Sequence, residues 1–205
     1  NILPTFVIMN GKAEQTTRFI ISTVAPIFNK NGYNGTSMSD ITAATGLTKG
    51  AIYGNFKNKE DLAFAAFEFN IDLVVEKIKS ELAPIESPLA QLRKLISFYR
   101  RYRHYTIDIG GCPIINIGVD ANHQNSELLG RVQDVIQKLQ YYIEKMIRNA
   151  QEAGEIKLDI DAHAASRSFF ALIEGSIFMA VTMNDDTYIQ QMMNLLDKQV
   201  DDMMR

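Results

Sequence analysis

Between Gly32 and Leu62 the chain sets Gly46 between two stretches that each read as a short, capped helix. A turn that tight often needs positive φ, which glycine adopts without a Cβ clash. Ser37 or Ser39 can cap the first helix, carrying Asp40, Ile41 and Ala44, and Thr48 can cap the second, carrying Ile52 and Tyr53. Met38, Ile41, Leu47, Ile52 and Phe56 have the spacing of one small core shared by both helices. The second helix then leaves Thr48, Lys49, Gly50, Ala51, Tyr53 and Asn55 facing outward. Short polar, cationic and small groups with one phenol suit a helix entering a DNA major groove. A helical hairpin used only for packing is the competing reading. The paired caps and the basic run at 57–59 favour a helix-turn-helix.

This segment resembles the DNA-binding domain of the TetR family of bacterial transcriptional regulators. The resemblance runs from about Thr17 to Leu62 and rests on the order NGY, TSM.DI, TGL.KGAIY and NKEDL. Thr42 and Thr45 stand where the family usually has alanines, and their hydroxyls can bond back to a helix carbonyl. The resemblance implies an all-α chain. It has an N-terminal three-helix helix-turn-helix DNA-binding domain at 12–60 and a C-terminal helical bundle for ligand binding and dimerisation at 61–205. Tyr53 and Lys59 match positions that commonly contact phosphates. Thr48, Lys49, Gly50, Ala51 and Asn55 lie on the base-reading side, and Ser37 and Ser39 are further expected DNA contacts. Lys49 can bond guanine O6 and N7, and Asn55 can pair with adenine or a phosphate.

Charge agrees once it is divided along the chain. The net charge of the 205 residues is −3. Residues 1–60 hold six basic and three acidic residues, while the remainder holds 15 basic and 21 acidic. An asymmetry of this sign puts the favourable electrostatics at the N-terminal end. A single cysteine excludes an internal disulfide framework and fits a reducing cytoplasm; with three scattered histidines it lacks zinc-ligand spacing. No metal or other cofactor is expected. No apolar run approaches the ~20 residues that cross a bilayer, so no membrane partner is expected. Residues 1–11 read as a vector-derived or disordered tail, with Met9 a candidate natural start.

Downstream, apolar periodicity gives a first helix over 12–31, kinked at Pro26 and ended by Asn31-Gly32. A long helix capped by Asn58 runs over 59–82, followed by helices over 88–106, 127–153 (capped by Ser126), 161–183 and 187–203. Arg100, Arg101 and Arg103 read as a solvated face or an anionic-ligand contact. The last two helices are more apolar than a monomer needs. The resemblance implies that they pair with a second copy, so that two recognition helices read two half-sites.

By resemblance the second domain encloses a small-molecule pocket. Tyr99, Tyr102, His104, Tyr105, Phe170, Glu174, Phe178 and Met179 are its candidate lining, and Cys112 a further candidate contact. Aromatic walls with one carboxylate favour an apolar or cationic effector. The expected function is a cytoplasmic, ligand-responsive repressor that holds palindromic operator DNA as a homodimer and is released by its effector. Two alternatives remain. One is a redox or electrophile sensor acting through Cys112, which follows two glycines near a helix start. The other is an enzyme using Asp159, Asp161, His163 and Glu174, around which no nucleophile elbow or phosphate loop is present.

Overall fold

In the computed structural model residues 11–204 are described, apart from the side chain of Lys12. The expected tail at 1–11 therefore lies outside the described residues except for Gly11. Among them the regular elements are ten α-helices: α1 (Lys12–Gly35), α2 (Met38–Thr45), α3 (Lys49–Tyr53), α4 (Lys59–Leu82), α5 (Pro88–Tyr99), α6 (Tyr102–Thr106), α7 (Pro113–Ala121), α8 (Ser126–Glu152), α9 (Ala162–Met183) and α10 (Thr187–Met203). An isolated antiparallel bridge joins Ile156 to Met204.

The chain divides into two units, with the first boundary inside α4. One unit is Asn1–Val75 with Thr106–Val132, and the other is Glu76–Tyr105 with Gln133–Arg205. The unit carrying α2 and α3 is thus larger than the 12–60 expected, because α7 and the following turn belong to it.

The first unit is built around Ile20, Val24 and Phe28 of α1, Ile41 of α2, Ile52 of α3, Phe56, and Leu62, Ala63 and Ala66 of α4. Met38 and Leu47 pack against this core as half-buried residues. Phe19 is exposed, and its neighbour Ile20 takes the core position. Within α1 the departure from helical geometry falls at Gly32 (φ 76°, ψ 172°), not at Pro26. A proline removes one helical hydrogen bond but keeps a φ close to the helical value.

In the second unit α9 packs along α10, and α10 packs on α5. Phe169, Ile173, Ile177 and Ala180 of α9 meet a core that includes Ile189, Met193, Leu196 and Val200 of α10. The expected helix over 88–106 is two helices, broken at Arg100 and Arg101. The arginines there each meet a carboxylate, and Arg101 stays exposed. Arg100 pairs with Asp197 at 2.5 Å and bonds Asn194, Arg101 pairs with Glu81 at 3.3 Å, and Arg103 pairs with Asp186. Asn125, not Ser126, caps α8, accepting from the Leu128 N–H at 2.9 Å. By length and composition α9 does meet the test for a membrane-spanning helix. It carries Arg167 and Glu174 and is packed against α10.

Candidate nucleic-acid interface

Local hydrogen bonds fix α2 and α3 before any long-range contact is needed. The Ser37 hydroxyl oxygen accepts from the Asp40 N–H at 3.1 Å, and the Asp40 carboxylate accepts from the Ser37 N–H at 2.7 Å. This capping box satisfies two helix-start donors at once. Gly46 follows α2 in the left-handed region (φ 68°, ψ 10°), and its N–H closes on the Thr42 carbonyl. Thr48 then caps α3, its hydroxyl accepting from the Ala51 N–H at 3.2 Å.

The hydrogen bonds from the Ser37 side chain and backbone hold the Asp40 carboxyl below the usual carboxylate range, and the charge of Lys59 acts in the same direction. A lowered folded pKa means that this stabilisation is complete above the ordinary carboxylate value and is lost as pH falls through the folded one. Asp40→Asn is therefore expected to shrink the drop in melting temperature between about pH 6 and about pH 3.

On α3, Thr48, Lys49, Gly50 and Tyr53 are exposed and Ala51 is half-buried. A Cβ at Gly50 would meet nothing closer than the Thr48 hydroxyl at 3.9 Å, so this backbone faces open space. Ser37 and Ser39 are exposed at the start of α2. Of the residues expected to reach DNA, Ser37, Ser39, Thr48, Lys49, Gly50 and Tyr53 are thus exposed, and Ala51 is half-buried.

Asn55, expected on the base-reading side, is bonded within the protein. Its side chain is half-buried, its amide donates to the Ala51 carbonyl at 2.8 Å, and its oxygen accepts from the Thr17 hydroxyl at 2.8 Å. It braces the end of α3 against α1. Thr17 is the other half of that brace.

Lys59 starts α4, where Asn58 caps by accepting from the Asp61 N–H at 2.7 Å. Its ammonium lies 4.3 Å from the centre of the Tyr33 ring. Burial pulls the Lys59 ammonium below the ordinary lysine range, while the charges of Asp120 and Asp40 oppose that shift. Burial, then Glu60 and Tyr53, push the Tyr33 phenol upward. A cation held against a ring face at a helix N-terminus is a ready-made phosphate contact. Tyr33 lay within the NGY motif, yet nothing in the local pattern ties it to a lysine 26 positions later.

The expected ligand residues are only partly brought together. Tyr99 and Tyr102 are buried with ring centres 5.2 Å apart, beside Phe98 and Tyr105. His104 is exposed, 5.8 Å from the Tyr105 ring. On α9, Phe170 is buried, Glu174 and Met179 are half-buried, and Phe178 is exposed. Phe178 therefore does not line an enclosed cavity. Cys112 is 3% exposed at the cap position of α7, in the first unit. A buried thiol does not offer the accessible thiolate that sensing chemistry requires.

Two residues of the enzyme alternative, Asp161 and His163, have structural roles. Asp161 caps α9, accepting from the His163 and Ala164 N–H groups, and His163 Nδ1 lies 2.9 Å from the Glu144 carboxylate.

A family model described as bacterial regulatory proteins, tetR family, matches residues 20–66. A second, described as tetracyclin repressor-like, C-terminal domain, matches residues 88–196. Among solved structures, a TetR-family transcriptional regulator from Cytophaga hutchinsonii superposes with TM-score 0.90 at 30% identity, covering 96% of this chain and 98% of that one. A TetR transcriptional regulator from Chloroflexus aurantiacus gives TM-score 0.88 at 31% identity, covering 95% and 98%. The fatty acid metabolism regulator protein of Bacillus subtilis is 24% identical over 170 residues, covering 82% of this chain and 84% of that protein. Proteins of this kind are regulators and not enzymes. A capped helix-turn-helix with an outward α3, followed by a matching C-terminal bundle, makes this chain a member of the TetR family of DNA-binding transcriptional regulators.

Proposed function

We propose that the chain is a cytoplasmic repressor that holds a palindromic operator as a homodimer and is released by a small-molecule effector. The observation carrying this reading is the outward surface of α3, where Thr48, Lys49, Gly50 and Tyr53 stand clear of the protein's own core. One five-residue helix reaches few bases. A two-fold dimer reads two half-sites in successive major grooves.

Support for the dimer comes from α9. Ala164, Ser168, Ala171, Gly175 and Phe178 recur at helical spacing and are all exposed, opposite the face that meets α10. A Cβ at Gly175 would meet nothing within 4 Å. Small residues flanked by Phe178 (47% exposed) and Val181 (54% exposed) suit close approach of a second helix. Phe178 is thus better read as a dimer residue than as a ligand contact.

For the effector, the aromatic group of Phe98, Tyr99, Tyr102 and Tyr105 supports an apolar or cationic compound. Release requires the effector to prefer the non-binding conformer by roughly 5 kcal/mol for near-complete switching.

Selection of bound duplexes from a random pool tests the reading. An inverted repeat is expected, and a pool that yields no enriched sequence overturns it. On the selected duplex, Lys49→Ala is expected to relax the preference at one position per half-site. Lys59→Ala is expected to weaken all sequences alike and to lower the salt slope by about one per protomer.

A further inference from the structure

The break in α1 at Gly32 is mended from outside the helix. In a continuous helix the Asn29 carbonyl would accept from the Tyr33 N–H. Here that carbonyl accepts from Asn116 Nδ2 at 3.0 Å, and the Tyr33 N–H donates to Asp120 Oδ2 at 2.7 Å. Asn116 and Asp120 are four residues apart on α7, which puts them on one face, one turn apart. Their spacing matches the interrupted bond: an amide donor meets the orphaned carbonyl and a carboxylate meets the orphaned N–H.

The fit leaves no slack, because a Cβ at Gly32 would lie 2.5 Å from Asp120 Oδ1. The residue held by this splice is Tyr33, whose ring carries Lys59 at 4.3 Å. The turn after α7 reaches the same place: the Asn125 amide donates to Glu60 Oε1 at 2.7 Å, next to Lys59.

We infer that Asp120 is a positioning residue for DNA binding, acting through Tyr33 to hold Lys59 where a phosphate reaches it. The inference rests on the proposed reading of Lys59 as a phosphate contact. Asp120 lies about 60 residues downstream of Lys59 and touches no DNA itself. Its acceptor oxygen faces the protein and fixes the backbone under the ring. Its charge opposes the effect of desolvation on the Lys59 ammonium. Without the acceptor, the Tyr33 N–H turns to water, the ring loses its fixed position and Lys59 becomes a loose surface cation. A loose cation pays more conformational entropy to meet one phosphate.

The test is the salt dependence of binding to a mixed-sequence duplex about three helical turns long. Lys59→Ala, Asp120→Ala and the double variant are compared with the unaltered protein after thermal melting has established that each is folded. Asp120→Ala is expected to lower the slope by about half a unit or more per protomer, towards the value for Lys59→Ala, and to add little in the Lys59→Ala background. Asp120→Asn, whose amide oxygen still accepts from Tyr33, is expected to restore most of the slope. Should Asp120→Ala fail to fold, Asp120→Glu carries the test. It keeps the charge but its longer side chain shifts the acceptor oxygen from the Tyr33 N–H, and the same loss is expected. An unchanged slope in Asp120→Ala or Asp120→Glu, or a loss that adds in full to Lys59→Ala, overturns the role of Asp120. An unchanged slope in Lys59→Ala overturns instead the reading of Lys59 on which it rests.

Discussion

Gly32→Ala is expected to lower the melting temperature by roughly 10 °C, equivalent to about 3 kcal/mol in a chain of this size. Two causes add. With φ 76° and ψ 172°, Gly32 occupies a region essentially closed to residues with a Cβ. The added Cβ would also stand 2.5 Å from one Asp120 oxygen and 2.6 Å from its carboxyl carbon. The carboxylate would have to leave the part-buried Tyr33 N–H, and the lost hydrogen bond costs a further ~1 kcal/mol. Gly46→Ala is the control. Its φ is also positive, 68°, but nothing lies within 4 Å of a Cβ there. Only the left-handed strain remains, about 1–2 kcal/mol. Scanning calorimetry on both variants separates strain from collision. Equal losses would show that the Asp120 contact contributes nothing to the cost at Gly32.

Ala171→Glu is expected to give a folded monomer that has lost operator affinity by about a hundredfold or more. Ala171 is exposed on α9, so the new carboxylate reaches water in the single chain and leaves the fold intact. In the proposed dimer the same position faces its counterpart helix. Two carboxylates would then be buried together without partners, which costs several kcal/mol. The operator loss follows from linkage. Two tethered recognition helices bind with an avidity about 10²–10⁴ above either alone, and the monomer forfeits that factor. Sedimentation together with operator titration measures both halves. A variant that remains dimeric would move the interface off this stripe. A monomer with unchanged affinity would remove the need for a dimer.

The parts of this molecule that were legible in the sequence are those specified within one or two helical turns. Ser37, one of two candidates for its helix, Thr48 and Asn58 cap where their side chains predict, because a cap bonds an N–H only a few residues away. Ile41, Ile52 and Phe56 are buried because their spacing already places them on facing stripes. What local pattern does not carry is the choice of distant partner. Asn55 looks like a base reader until Thr17, 38 positions earlier, takes its oxygen. Arg100, Arg101 and Arg103 look like a ligand site until Asp197, Glu81 and Asp186 neutralise them. The splice at Gly32 is the extreme case. A glycine predicts a helix end, and only the presence of Asn116 and Asp120 lets the chain continue helically to Gly35. The aromatic candidates for the effector were half legible. The Tyr99–Tyr102 spacing brings two tilted rings together in one core, whereas Phe178 falls on the outward side of its helix.

Hydroxyl-radical footprinting on the selected duplex bears most directly on whether α3 is presented to DNA twice over. Two protected patches are predicted on one face, their centres a whole number of helical turns apart, and both should vanish together with Ala171→Glu. A single patch, or two that persist when the chain is monomeric, would contradict the account.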